Sequence, residues 1–399
     1  MPFTSIDLMV GFLVAVLPAF GLATVIGQKR GFFHSLVDRE AASSRFHAID
    51  GLRGFLALGV MLHHIHLNHH FYRTGLWELA PSRLSTFLGR GSVAFFFMIT
   101  AFLFWGRAID SKGSINTLKF YSGRVRRLVP MYLLSAGLLV LTALALTHFR
   151  LVVSPLDLVR QVLAWMLFTV PGYPEINGFR QTTLINTVFW SLVYEWKFYL
   201  VLPLIAALSR NKNRWPTAII VCGCIAAFST TQIEWFFVAG CTAAALVRLP
   251  AIRRFSVGIP ATALALGCAA ATVIYQPLIY TAAGAALLLI PFTIIASGNS
   301  LFGLLTCRPA RVLGLLSYSI YLLHNWVLYL TSRLINHYIP VASLPKIEYW
   351  GAAVIVVFLT VVLSAITYRF IEYPGIRGVT ATPANANDDG TVTTLADRP

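Results

Sequence analysis

Arg53 and His64 lie eleven residues apart in a stretch that runs Ile49-Asp50-Gly51-Leu52-Arg53-Gly54, crosses the apolar segment Phe55 to Leu62, and ends in His63-His64-Ile65-His66-Leu67-Asn68-His69-His70. At about 100° per residue, eleven steps return to within about 20° of the starting azimuth, so the two side chains share one helix face, with His64 about 16 Å further along. His63 points about 80° away from that face. A histidine aligned with an intramembrane arginine marks a functional site, because ionisable groups in hydrocarbon are costly. His69 and His70 read as ordinary polar residues at a helix end. Histidines at 63, 64, 66, 69 and 70 without an acidic partner make a poor zinc set, and no metal is expected.

Three further groups carry chemistry. Arg124 and Arg127, in Tyr121-Ser122-Gly123-Arg124-Val125-Arg126-Arg127-Leu128-Val129-Pro130-Met131-Tyr132, are spaced i, i+3 and face the same way. Paired guanidinia at an inner boundary suit a phosphorylated ligand, since arginine forks bind phosphate oxygens bidentately. Arg126, off that face, fits plain positive-inside anchoring. Glu195 sits among aromatics in Trp190-Ser191-Leu192-Val193-Tyr194-Glu195-Trp196-Lys197-Phe198-Tyr199, deep in an apolar run, and Lys197 at i+2 points to another face. Ionisable groups at such depth mark functional sites by default. Ser317, Tyr321 and His324 form one stripe at i, i+4 and i+7, which serves helix–helix hydrogen bonding or a site equally well.

These residues need a bilayer-spanning frame. The 399 residues are 57% apolar and only 12% charged, with mean hydropathy +0.72; soluble domains are about a quarter charged, so a soluble globular class is excluded. Apolar runs near 5 to 26, 50 to 70, 91 to 107, 129 to 147, 186 to 208, 215 to 229, 232 to 247, 257 to 275, 278 to 297, 312 to 331 and 347 to 371 make about eleven candidate spans. The run 156 to 171 carries Asp157 and Arg160 and ends at Pro171-Gly172; it reads as interfacial or re-entrant. With that assignment, 20 of the 31 Lys and Arg fall in one set of loops and 8 in the other, which places the N-terminus outside and the C-terminus inside. The net charge of +16 is therefore a topological signal, and nucleic acid is not an expected partner. The first run lacks a preceding basic residue and is followed by Lys29-Arg30, so it reads as a retained anchor rather than a cleaved leader. The cysteines at 222, 224, 241, 268 and 307 fall within apolar stretches or on the inner side, where structural disulfides are not expected. From about 378 onward the chain is polar and aperiodic and reads as a disordered cytoplasmic tail.

Six motifs in order then make the chain similar to the acyltransferase-3 family of integral-membrane acyltransferases, which modify bacterial surface carbohydrates and other envelope or secreted acceptors. They are Arg53 and His64 in IDGLRGFLALGVMLHH, the run GSVAFFFMITAFLFW, YSGRVRRLVPMY, WSLVYEWKFYLVLPL, GLLSYSIYLLH and YRFIEYP, spread over residues 46 to 374. Thr100-Ala101 stand where the family usually has Ser-Gly. The resemblance implies an all-α polytopic membrane protein: a ten-helix core over residues 46–377, an extra transmembrane helix and cytoplasmic linker over 1–45, and the tail 378–399. Some relatives carry an esterase-like domain after the core, and none is expected in a chain that ends here. The resemblance also implies a bacterial cytoplasmic-membrane O-acyltransferase with acyl-CoA, in the first place acetyl-CoA, as donor substrate, no bound cofactor, and a polysaccharide, glycolipid or lipid-linked acceptor. In those terms His64 and Glu195 are the catalytic pair, with Glu195 orienting or neutralising the imidazole. Arg53, Arg124 and Arg127 hold the donor, and Trp190, Ser191, Tyr321 and His324 line the substrate site. The competing class is a transporter or proton-coupled permease, where intramembrane His, Arg and Glu are equally expected.

Overall fold

The computed structural model describes residues 3, 5–28, 31–41, 46–210 and 213–380. Every apolar run named above folds as a helix, and no strand forms among the described residues. In chain order the helices are α1 (Ser5–Ile26), α2 (Phe32–Ala41), α3 (His47–Thr74), α4 (Arg83–Thr86), α5 (Ser92–Asp110), α6 (Thr117–Leu146), α7 (Pro155–Met166), α8 (Thr182–Ile185), α9 (Trp190–Leu208), α10 (Arg214–Phe228), α11 (Glu234–Leu246), α12 (Pro250–Ser256), α13 (Ile259–Tyr275), α14 (Ala282–Ala296), α15 (Arg308–Tyr338), α16 (Lys346–Thr367) and α17 (Tyr373–Thr380). Single π-helical turns, Phe87–Gly91 and Tyr368–Glu372, join α4 to α5 and α16 to α17. The polar segment expected beyond 378 is helical as far as Thr380, and 381–399 lie outside the described residues, as do Lys29, Arg30, Arg45, Lys212 and Arg398.

Among the described residues, six helices are long and apolar enough to cross a bilayer, and the pair α11 and α12, bent by 101°, makes a seventh if it acts as one span. The apolar helices α10, α13 and α14 are shorter. Although 28 residues long, α3 falls outside that set because its histidines, Asp50 and Arg53 lower its hydropathy. It is nonetheless buried along most of its length by its neighbours.

Contacts along the helices fix their directions. The Tyr121 hydroxyl of α6 donates to the carbonyls of Tyr199 and Leu200, while Tyr132, three turns later, meets Phe189 at 4.9 Å, so α6 and α9 are antiparallel. The chain between them therefore does not traverse the bundle. Helix α7, 12 residues long, spans only about 18 Å, too little for a hydrocarbon core. It enters and leaves on one side.

Helices α3 and α15 instead run parallel, in contact from end to end. A Cβ at Gly51 would overlap the Leu305 carbonyl, one at Gly54 would press on the Ala310 carbonyl and Leu313, and one at Gly314 would overlap the Asp50 carbonyl. The two backbones touch at these glycines, as small residues allow between membrane helices. Further along, Asn68 of α3 donates to Ser332 of α15 at 2.8 Å. Gly314→Ala is expected to force the helices apart, because backbone cannot rotate away as a side chain would. The cost is about 1–3 kcal/mol, read as a lower melting temperature of the detergent-solubilised protein. Gly137→Ala in α6, where nothing lies within 4 Å of the new methyl group, is expected to be neutral or to raise it.

Helix α1 packs lengthwise on α16: Asp7 accepts from Lys346 at 2.5 Å, and Gly11 lies flat against the Trp350 indole. Its buried side chains Leu8, Phe12, Ala15 and Ala19 join one core with residues of α3, α15 and α16.

Candidate functional site

A cavity of ≈ 550 Å³ runs into the bundle from the end where α3 begins and α5 finishes. Five arginines line it, Arg53, Arg107, Arg124, Arg127 and Arg248, against three acids, Asp50, Asp110 and Glu195. The surplus of positive charge, set in low-dielectric walls, favours an anionic ligand. Arg248 is held at the corner of α11 and α12 by Asp110, at 2.6 Å, and by the Gly106 carbonyl, at 2.9 Å. Arg124 and Arg107 both lie over the Phe104 ring, at 4.5 and 5.5 Å. Arg126 is exposed and is not on the cavity wall.

Glu195 projects from α9 into this cavity, where Thr100 of α5 donates to it at 3.2 Å and the Tyr199 hydroxyl one turn further on donates to the same oxygen. Thr100 thus supplies a hydroxyl at the position where the resemblance leads one to expect Ser, while Ala101 packs against Gly240. The bonds of Glu195 go to these hydroxyls and not to an imidazole. A second carboxylate, Glu372, is fully buried in the π-helical turn after α16. It accepts from Ser319 at 2.9 Å, leaves its other oxygen without a partner, and lies within electrostatic reach of Arg127 and Arg53. Sequence reasoning passed over Glu372, although a carboxylate in the apolar run before YPG was the available signal.

The deep end of the cavity is closed by Ser191 and Tyr321, whose hydroxyls bond at 2.7 Å. Behind Tyr321, with ring centroids 6.1 Å apart, stands His324. His324 and His64 are bonded, Nε2 to Nδ1, at 2.8 Å. The direction of this bond follows from its neighbours when both rings are neutral. His324 Nδ1 faces the Ile320 carbonyl at 3.0 Å, so it carries a proton and donates. Its Nε2 must then accept, which makes His64 Nδ1 the donor and leaves His64 Nε2 as a lone pair. The Thr187 hydroxyl lies 3.3 Å from that lone pair, and the Trp77 indole stacks over the ring at 6.3 Å and 15°. The partner that orients His64 is therefore His324, which the sequence grouped with the substrate contacts. His63 turns away to Ser85 at 3.1 Å and packs on Gly89. Trp190 does not reach the cavity; it packs edge-on against Tyr194 and Tyr280. Arg53, Arg124, Arg127, Glu195, Ser191 and Tyr321 share one cavity wall, and His64 and His324 lie just beyond it.

Residues 46–369 match the family model described as an acyltransferase domain. Among curated relatives, the chain is 32% identical over 147 residues to the exopolysaccharide production protein ExoZ of Rhizobium meliloti (strain 1021), covering 35% of this chain and 43% of that protein. It is 26% identical over 372 residues to the O-acetyltransferase OatA of Staphylococcus aureus (strain NCTC 8325 / PS 47), covering 82% of this chain and 56% of that one. The chain spans about half the length of the curated relatives it matches. No solved structure matches it.

Proposed function

The chain belongs to the acyltransferase-3 family, and on that premise we propose that it moves an acyl group, acetyl in the first place, from acyl-CoA to a hydroxyl of an envelope polysaccharide, glycolipid or similar acceptor. The observation that carries this reading is the arginine-rich cavity ending one side chain short of a histidine whose Nε2 lone pair meets the Thr187 hydroxyl. The donor's phosphates meet Arg53, Arg124 and Arg127, and its thioester points toward Tyr321. The acceptor hydroxyl takes the place of the Thr187 hydroxyl at His64 Nε2 and gives up its proton there. Its oxygen bonds to the acyl carbon, the carbon–sulfur bond breaks, and the departing thiolate recovers the proton. The same lone pair serves equally for a step in which His64 itself carries the acyl group. As His64 takes on positive charge, its bond to His324 strengthens and holds the ring. Glu195, bonded to two hydroxyls, sets the electrostatics of the donor cavity rather than the imidazole's tautomer.

In the orientation given by the basic loops, the cavity opens to the cytoplasm of a bacterial cell and residues 46–377 form the catalytic unit in the cytoplasmic membrane, with the helix over 1–45 added to it. No specific observation favours a permease. The test pairs two measurements: thiol release from acetyl-CoA by the purified protein, and base-labile acetyl esters in the envelopes of cells with and without the gene. Thiol release and gene-dependent esters are expected; absence of both sinks the reading.

A further inference from the structure

On the other side of the histidine pair lies a second, small cavity of ≈ 30 Å³, lined among others by Asn68, Trp77, Gln181, Leu184, Asn325 and Arg333. We propose that it is a subsite for a hydroxyl of the acceptor next to the one that reacts at His64, and that the acceptor is a saccharide whose ring rests on Trp77 at its rim. This rests on the acyltransferase reading above.

The same three chain segments build both cavities, with the histidines between them. On α3, Arg53 faces the large cavity and Asn68, one turn beyond His64, faces the small one. On α15, Tyr321 faces the large cavity and Asn325, next after His324, faces the small one. On the segment around Thr187, Ser191 lines the first and Leu184 the second. His64 and His324 line neither cavity and stand between the two sets of residues.

The small cavity is built to take a hydrogen-bond-donating group. Asn325 is 1% exposed, and its amide nitrogen is committed to the carbonyls of Leu184 and Ile185, at 2.9 and 3.4 Å. That commitment fixes which way the amide points and leaves Oδ1 buried without a partner. A buried acceptor left unpaired is costly, and a ligand hydroxyl relieves it. The volume limits what enters, since a cavity of ≈ 30 Å³ holds about two waters. A hydroxyl or hydroxymethyl arm fits, and a sugar ring must stay at the rim. There Trp77 is half-exposed, with its indole stacked over His64, and Gln181 and Arg333 are exposed. An aromatic plane beside amide and guanidinium donors suits a ring that is apolar on its C–H faces and polar at its edge. The donor therefore arrives from one end of the bundle and the acceptor from the other, which is the outer end in the orientation given by the basic loops.

The experiment uses whole cells carrying Gln181→Cys or Arg333→Cys, treated with sulfonatoethyl methanethiosulfonate, which does not cross membranes. The unsubstituted protein, with its own cysteines, is the control. Modification from outside is expected to lower base-labile envelope esters by at least about tenfold in both variants, while control cells keep theirs and membranes from the treated cells still turn over acetyl-CoA. Esters already lost in the untreated variants, with acetyl-CoA turnover kept, support the subsite equally. Three results overturn it: no labelling from outside, labelling without loss of esters, or acetyl-CoA turnover falling in step with the esters. Control cells with neither turnover nor gene-dependent esters would instead overturn the acyltransferase reading beneath it.

Discussion

His64→Ala is expected to lower acyl transfer by about 10²- to 10⁴-fold, the range for loss of a general base, in a protein that still folds and inserts. The reason is geometric. In His64 alone the hydrogen bond to His324 Nε2 leaves the opposite ring nitrogen as a lone pair between the two cavities. His63→Ala is the matched control. Its ring is buried in α3, but it serves Ser85 and fills the space over Gly89. That substitution should lower the melting temperature and leave kcat per folded molecule nearly unchanged. His324→Ala should fall between the two, because His64 survives without the acceptor that fixes its tautomer. Steady-state rates on purified protein decide the matter, and a His64→Ala variant with full kcat would end the assignment.

The second large effect is on the donor. Arg124 and Arg127 share the cavity wall, and each charge-assisted bond to a phosphate is worth about 1.5–3 kcal/mol, so Arg124→Ala is expected to raise the acetyl-CoA KM by about 10- to 150-fold. Arg→Lys keeps the charge and loses the fork, so a smaller rise is expected. Arg127 calls for lysine as the informative change. It stands by the buried Glu372, and alanine there would strip that carboxylate of its counter-charge and unsettle the fold as well as the site. Arg126→Ala, exposed and off the cavity wall, should leave KM alone. Donor titration of the purified variants is the measurement; an unchanged KM in Arg124→Ala and Arg127→Lys would return both to the role of membrane anchors.

What the sequence disclosed depended on the range of the interaction. Apolar runs located the helices, and a single helix's periodicity placed Arg53 and His64 on one face and turned His63 away, because both rest on residues within a few turns of one another. Which helix stands opposite is another matter. His324 meets His64 across 260 residues and Thr100 meets Glu195 across 95, and azimuth alone names no partner. The histidine pairing is set by backbone contacts at Gly51, Gly54 and Gly314, which read in sequence only as glycines in apolar helices. Glu195 beside His64 was a reasonable expectation from charge; two hydroxyls on α5 and α9 hold the carboxylate instead. Trp190 belonged to the right motif and faces the wrong way, since i and i+1 on a helix point about 100° apart. Asn325 left no mark in sequence, being one polar residue after a histidine.

The glycine crossing of α3 and α15 also sets a rule of length. Ten residues separate Gly54 from His64 and ten separate Gly314 from His324, so two parallel helices measured from a common zero bring their imidazoles to one height, about 15 Å up. A one-residue deletion within either interval lowers its histidine by about 1.5 Å and swings it by about 100°. Making the same deletion in both restores the level and leaves the two rings facing away. Changes of seven or eleven residues, made in both helices together, bring each ring back to within about 20° of its bearing, and they move the reacting centre by about 10 or 16 Å. The depth at which this scaffold can do its chemistry is thus quantised: composition between glycine and histidine is free to drift, but the interval can be reset only in steps of two or three turns.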